Sequence, residues 1–316
     1  MRSELPDCVI HDNVYVFAQH RGGSTWIAEI LNQIPESAVI TEPLWRGKFL
    51  TNGELPLQSV GKCDEIRELD FYYQQPIPEG AEWPEAEEFF RRLFKLEVCK
   101  LGLYLDHKFS HLKSYKSFIF KFCFGNQLMP WLVQKFNIKA ILLVRHPCAV
   151  VQSQMQMPYW DLVRRHPEFK VTDFRYNEVY LKYEHVLRQI KTPEENLAAH
   201  WCFNMLATLK DPNNNKKWLT VAYENLYENY DQEIDRIFQW IDRPIAQRVG
   251  SLNFKPSRYT ESYSLEYIKS GNQLNIWKER LDKDQIKRIL QIVEAFEIDG
   301  YSDNVLPDLK AIYGSS

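Results

Sequence analysis

The sequence predicts an α/β fold, a central parallel sheet flanked by helices on both faces, and three observations carry that expectation. Short runs rich in β-branched and aromatic residues alternate with longer stretches whose apolar residues recur at helical spacing. The short runs are apolar throughout rather than alternating, the pattern of strands buried on both faces. The first of them leads into a glycine-containing loop and then a helix.

In chain order, residues 14–18 (VYVFA) read as a buried strand, followed by the loop 19–25 and a helix from Trp26 to Leu31 that Pro35 ends. A short strand-like run covers 38–40. Residues 46–84 are irregular, with Pro56, Pro76, Pro78 and Pro84 marking turns. Pro84 opens a helix expected over 85–105, with Phe89, Phe90, Leu93, Phe94 and Leu96 on its apolar face. Residues 118–122 and 138–144 are further buried strands. After Arg145-His146-Pro147 a helix should begin, because proline fits the first helical turn. A long loop rich in aromatic and basic residues is expected over 155–175, a helix over 194–209, a strand over 218–223, and amphipathic helices over 231–241 and 283–296. The whole of 1–316 reads as one domain, with irregular elaborations around 46–115 and 155–195.

Hydrophobic residues make up 45% of the chain and aromatics 14%, enough for a packed core and incompatible with a disordered chain. A formal charge of −3 gives no global attraction to nucleic acid or to an anionic membrane. An anionic ligand must therefore be held by local basic groups and backbone N–H donors. The cysteines are scattered, with no C-x-x-C pair and no metal-like spacing to histidine, so no metal is expected. No 18-residue apolar run and no leader-like N-terminus occur, so the expectation is a cytoplasmic chain without a membrane span.

Strand, glycine loop, helix is an arrangement that binds phosphate, because the first helical N–H groups point outward and the helix dipole adds positive charge. Gly22 and Gly23 permit close backbone approach, Ser24 and Thr25 carry hydroxyls, and Arg21 adds a full charge. The Walker A pattern is absent, since no lysine precedes Ser24. A second candidate anion site lies where Arg145 ends the 138–144 strand and Ser153 follows eight residues on, two turns into the next helix.

The run His20-Arg21-Gly22-Gly23-Ser24-Thr25-Trp26 resembles the 5′-phosphosulfate loop of the sulfotransferase superfamily, with Gly22 where that family commonly has serine. The stretch on to Thr41-Glu42-Pro43-Leu44-Trp45 is similar to carbohydrate sulfotransferases of the Gal/GalNAc/GlcNAc type. Arg145-x-Pro147 with Ser153 resembles the family's 3′-phosphate motif.

The resemblance implies a P-loop-like sheet and a sulfonate donor, 3′-phosphoadenosine 5′-phosphosulfate (PAPS), leaving adenosine 3′,5′-bisphosphate (PAP) as product. It further implies that Arg21, Gly22, Gly23, Ser24, Thr25, Trp26, Arg145, Ser153, Tyr223 and Lys269 bind this donor. Tyr223 belongs to a Tyr-Glu-Asn-Leu run similar to the family's Tyr-Glu-Asp-Leu. Lys269 precedes a segment around Trp277 similar to the one that closes on the 3′-phosphate. Trp26 reads equally as a core residue.

For the chemistry, Glu42 falls where the carbohydrate and tyrosylprotein branches carry their catalytic glutamate, and a dry site is expected to raise its pKa. Cytosolic-type relatives use a histidine after Lys-Thr; here the run reads Lys121-Phe122-Cys123, which favours the glutamate. Lys121, in an apolar strand, and Arg21 are assigned to the sulfonate or leaving-group oxygen. The histidines are expected to be surface or hydrogen-bonded groups. Met157, Pro158, Tyr159 and Trp160 suit either a sugar-stacking wall or a packed loop. The acceptor is expected to be a small molecule, a glycan or a glycolipid. Two other readings remain at this level, a P-loop-type nucleotide kinase and a catalytically inactive nucleotide-binding scaffold.

Overall fold

The computed structural model describes residues 10–44, 69, 74–97, 115–123, 125–171, 173–243 and 273–314. Five strands, β1 (Val14–Ala18), β2 (Ser37–Thr41), β3 (Ser117–Phe122), β4 (Lys139–Val144) and β5 (Leu219–Ala222), form one parallel sheet in the order β2-β3-β1-β4-β5. From β1 the chain moves towards one edge, and from β3 it crosses back over β1 to reach β4. Strand order therefore reverses beside β1, the place where open α/β sheets leave a crevice at their carboxyl ends.

The helices are α1 (Ser24–Leu31), α2 (Pro84–Phe94), α3 (Met129–Phe136), α4 (Pro147–Met155), α5 (Pro193–Leu209), α6 (Tyr223–Glu228), α7 (Tyr230–Ile241), α8 (Ile276–Arg280) and α9 (Lys283–Ala295), with shorter helical turns at Asp161–Arg165, Glu178–Lys182, Glu184–Leu187 and Leu309–Tyr313. Side chains alternate across the sheet as strand geometry requires. Tyr15, Phe17, Phe118, Phe120, Phe122 and Leu142 join one core with residues of α2, α3 and α5. Val14, Val16, Ile119, Ile141, Leu143 and Val221 join the other with α1 and α7. Both faces are thus covered, as the unalternating strands predict. Stacked rings tie neighbouring strands, Tyr15 on Phe120 at 5.3 Å and Phe17 on Phe122 at 5.0 Å. Each such buried ring contributes about 1.5–3 kcal/mol.

Two expectations are corrected. The helix expected over 85–105 stops at Phe94, where Leu96 takes a left-handed φ of 58° and the amides of Leu96 and Glu97 return to the carbonyls of Leu93 and Arg92. This helix-ending motif normally uses glycine, and leucine in that place hides the stop from a sequence reading. The 155–175 segment is not wholly loop, because it contains the turns Pro158–Trp160 and Asp161–Arg165. Met157 and Trp160 are buried in a third apolar cluster, which favours packing over sugar stacking for these two residues. Among the described residues no helix is long and apolar enough to cross a membrane.

Candidate active site

The glycine loop is tightly wound. The amide of Gly22 donates to the carbonyl of Gln19 at 2.7 Å, and a Cβ on Gly22 would lie 2.7 Å from that same oxygen. Gly23 has φ 95°, and a Cβ there would lie 2.5 Å from the Tyr223 ring. Arg21 just before them is also left-handed, at φ 71°. α1 then opens at Ser24, and its first intrahelical bond runs from the Trp26 amide to the Gly23 carbonyl. The amides of Ser24 and Thr25 precede that bond and face out of the helix end, where the dipole favours an anion.

The second strand end meets this loop directly. Because β1 and β4 are neighbours, with Ala18 opposite Leu143, the residues that follow them lie side by side. Arg145 Nη1 donates to the Arg21 carbonyl at 3.1 Å, and its guanidinium lies over the Tyr223 ring, 4.5 Å from the centroid. Arg145 Nε is buried and has no hydrogen-bond partner. From α4, Ser153 Oγ accepts Arg21 Nε–H at 3.1 Å. Burial first, and Arg145 second, hold the Arg21 pKa below its ordinary value. The two guanidinium groups are thus held close together against their mutual repulsion. Trp26 is buried in the α1-side core, edge-on to Tyr223 at 5.5 Å and facing Tyr230 at 6.1 Å.

The third component is a buried ion pair. Thr41 of β2 is in register with Lys121 of β3, so the next residue, Glu42, turns across the strand end. It does so with φ 50°, its amide donating to the Lys121 carbonyl at 2.8 Å. Lys121 Nζ donates to Glu42 Oε1 at 2.7 Å, and the Cys123 amide donates to Glu42 Oε2 at 2.9 Å. Lys121 Nζ also reaches Ser24 Oγ at 3.4 Å, which links the carboxylate to the glycine loop.

Burial alone would raise the Glu42 carboxyl, but Lys121 and the Cys123 hydrogen bonds outweigh it, and the net pKa is lowered. The expected upward shift is therefore reversed, because an ammonium donates directly to the carboxylate. Lys121 is displaced upward: burial opposes its charge, and neighbouring Cys123 and Glu42 more than compensate. Burial, then Glu42, pushes the Cys123 thiol up to about 12, so it stays neutral. His20, next to the loop, is lowered to about 4 by burial and is a neutral imidazole.

The structure thus brings Arg21, Gly22, Gly23, Ser24, Thr25, Arg145, Ser153 and Tyr223 together, and joins Glu42 and Lys121 to them through Ser24. Lys269 lies outside the described residues. Arg21 bonds Ser153 rather than the Lys121–Glu42 pair, so its side chain rests on the Arg145 side of the loop. Sequence reasoning missed the Cys123 amide, which could not be found because a backbone donor leaves no residue signature. It also missed Tyr230 against Trp26, and Glu224 against the amide of His146. Among the described residues no cluster of three or more His, Cys, Asp or Glu is arranged to hold a metal ion.

The class the structure defines is an α/β protein, a parallel sheet whose central strand ends carry a glycine loop and a pair of arginines. The Sulfotransferase domain profile matches residues 11–296, and the chain belongs to that family. Solved structures with a similar course include mouse sulfotransferase SULT7A1 complexed with PAP, at 14% identity, TM-score 0.41, covering 92% of this chain and 85% of that one. The sulfotransferase domain from the curacin biosynthetic pathway aligns at 15% identity, TM-score 0.46, covering 93% and 99%. That from the Synechococcus PCC 7002 olefin synthase aligns at 14% identity, TM-score 0.43, covering 95% and 98%. No curated protein matches the chain.

Proposed function

We propose that this chain, as a single domain and without a metal, transfers the sulfonate of PAPS to a hydroxyl of a carbohydrate or other alcohol and releases PAP. The observation that carries the reading is the junction of Arg145, Arg21 and Ser153, where two strand ends meet and a buried Arg145 Nε has no acceptor. A buried charged donor needs a partner, and a phosphate oxygen supplies one with the right charge. In this assignment Arg145 and Ser153 hold the 3′-phosphate, while the amides of Gly23, Ser24 and Thr25 hold the 5′-phosphate. Tyr223 and Trp26 border the adenosine, and Lys269 is a further donor contact.

The donor supplies an activated sulfur, so that an S–O bond to the acceptor forms as the S–O bond to the phosphate breaks. Glu42 takes the proton of the acceptor hydroxyl onto a carboxylate oxygen. Lys121, and Arg21 once released from Ser153, meet the negative charge that develops on the leaving phosphate. The acceptor is a small molecule, a glycan or a glycolipid.

The test is thermal shift with PAP, AMP and ATP, followed by transfer of labelled sulfonate to a panel of methyl glycosides, glycolipids and simple alcohols. PAP is expected to stabilise most. Stronger stabilisation by ATP would replace this reading with a nucleotide kinase. PAP binding with no transfer to any acceptor would leave the inactive scaffold.

A further inference from the structure

Consecutive residues Tyr223 and Glu224, immediately after β5, grip consecutive residues Arg145 and His146, immediately after β4. Tyr223 lies under the Arg145 guanidinium, and Glu224 Oε1 accepts the backbone N–H of His146 at 2.9 Å. His146 is fixed on three other sides. Its Nδ1 accepts from the Cys148 amide at 3.2 Å, its Nε2 meets the Ser302 carbonyl at 3.0 Å, and its ring stacks on Trp277 at 4.7 Å. Nε2 must donate to that carbonyl, which fixes one neutral tautomer, in keeping with a pKa lowered to about 4 by burial. The Arg145 carbonyl is in turn held by Trp201 Nε1 at 3.1 Å.

Within this rigid corner the Glu224 carboxyl is an expensive choice. It is 2% exposed, and its Oε2 is buried with no partner. A neutral acceptor would satisfy the His146 amide without burying a carboxyl. What a carboxyl adds is its charge, and Arg145 is close enough to act on it.

We propose that Glu224 is a positioning residue for the 3′-phosphate arm of the donor site, fixing the β4–α4 corner that carries Arg145 and Ser153 and tuning its affinity through its own charge. This rests on the donor reading above and extends it to a residue that does not touch the donor. The facing groups are Arg145 and His146 from the β4 side, Tyr223 on its own helix, and Tyr301, whose phenol is raised by burial and then by Glu224. Burial pushes the Glu224 carboxyl up to about 7, against the His146 amide and Arg145, which lower it. A phosphate on Arg145 repels an ionised Glu224, so binding favours the protonated form. Below its free-state pKa no proton need be taken up; above it one must be, and affinity falls as pH rises.

Kd values for PAP and AMP, by calorimetry on the full chain, test this. Glu224→Ala is expected to weaken PAP about tenfold while leaving AMP within about threefold. Glu224→Gln keeps an acceptor for His146 and guards against a variant that fails to fold. Its PAP affinity is expected to lack the decline between pH 6 and 8 that the parent shows, the phosphate's own ionisation cancelling in the comparison. Equal losses of PAP and AMP in Glu224→Ala, or unchanged PAP affinity, would overturn the positioning role. A Glu224→Gln curve parallel to the parent would overturn the charge effect. If the parent itself fails to bind PAP, the donor reading fails rather than this extension.

Discussion

Replacing Glu42 by glutamine separates its proposed proton-accepting role from its structural one. The side chain is close to isosteric and can still accept from the Cys123 amide, but the charge opposite Lys121 is gone. Lys121 and Glu42 side chains are 8% and 12% exposed, so the ammonium is left nearly dry with a dipole in place of a carboxylate. Removing one partner of a buried pair costs about 3–5 kcal/mol, and the retained amide oxygen places this change near the lower end. With an unfolding entropy of roughly 2.1 cal/mol/K per residue, about 3 kcal/mol lowers the Tm of a chain this size by about 4–5 °C. Loss of a positioned general base slows transfer about 10²–10⁴-fold. The readouts are Tm, PAP affinity and single-turnover transfer of labelled sulfonate. PAP binding should be kept or tightened, because Glu42 touches neither Arg145 nor Ser153 and its lost charge frees Lys121 for the phosphate on the Ser24 loop. Adding Lys121→Met to Glu42→Gln should recover Tm, by removing the unpaired charge, without restoring transfer. Transfer by Glu42→Gln within about threefold of the parent would refute the base assignment.

Arg145→Ala removes the cation over Tyr223 and should weaken PAP about 10–100-fold while affecting AMP little, measured by calorimetry. Gly23→Ala must take a φ of 95° and drive a methyl into Tyr223, so PAP-induced stabilisation should disappear and Tm should fall by several degrees. The Glu42 carboxyl is held below its ordinary pKa of 4.5, so its contribution to stability is fully present above that pH and is lost as pH falls through the folded value. The acidic limb of the kcat/KM profile that belongs to Glu42 should accordingly lie below pH 4.5 rather than near neutrality.

How much of this was legible in the sequence depends on whether the determining contact is local. The β1–loop–α1 unit was readable because a strand, two glycines and a helix start are adjacent in the chain. Lys121 stood out as a charge in an otherwise apolar strand. Its hydrogen bond to Glu42 did not, because it depends on Thr41 pairing with Lys121, a register between segments 80 residues apart. For the same reason the sign of the Glu42 shift was missed: burial was foreseeable, the ammonium donating to it was not. The end of α2 escaped because leucine occupies the left-handed position that glycine usually announces.

That register also constrains how Glu42 could serve as a base. A carboxylate that accepts from an ammonium at 2.7 Å and from an amide at 2.9 Å holds protons weakly. Its proton affinity is set chiefly by how closely Lys121 stays, since the Cys123 amide is fixed by the backbone. Lys121 also reaches Ser24 Oγ, on the loop assigned to the 5′-phosphate. Negative charge arriving at that loop competes with Glu42 for the same ammonium, and each increment of that competition raises the basicity of the carboxylate. In this arrangement the proposed base strengthens only as the site fills, which keeps it from holding a proton before the donor is in place.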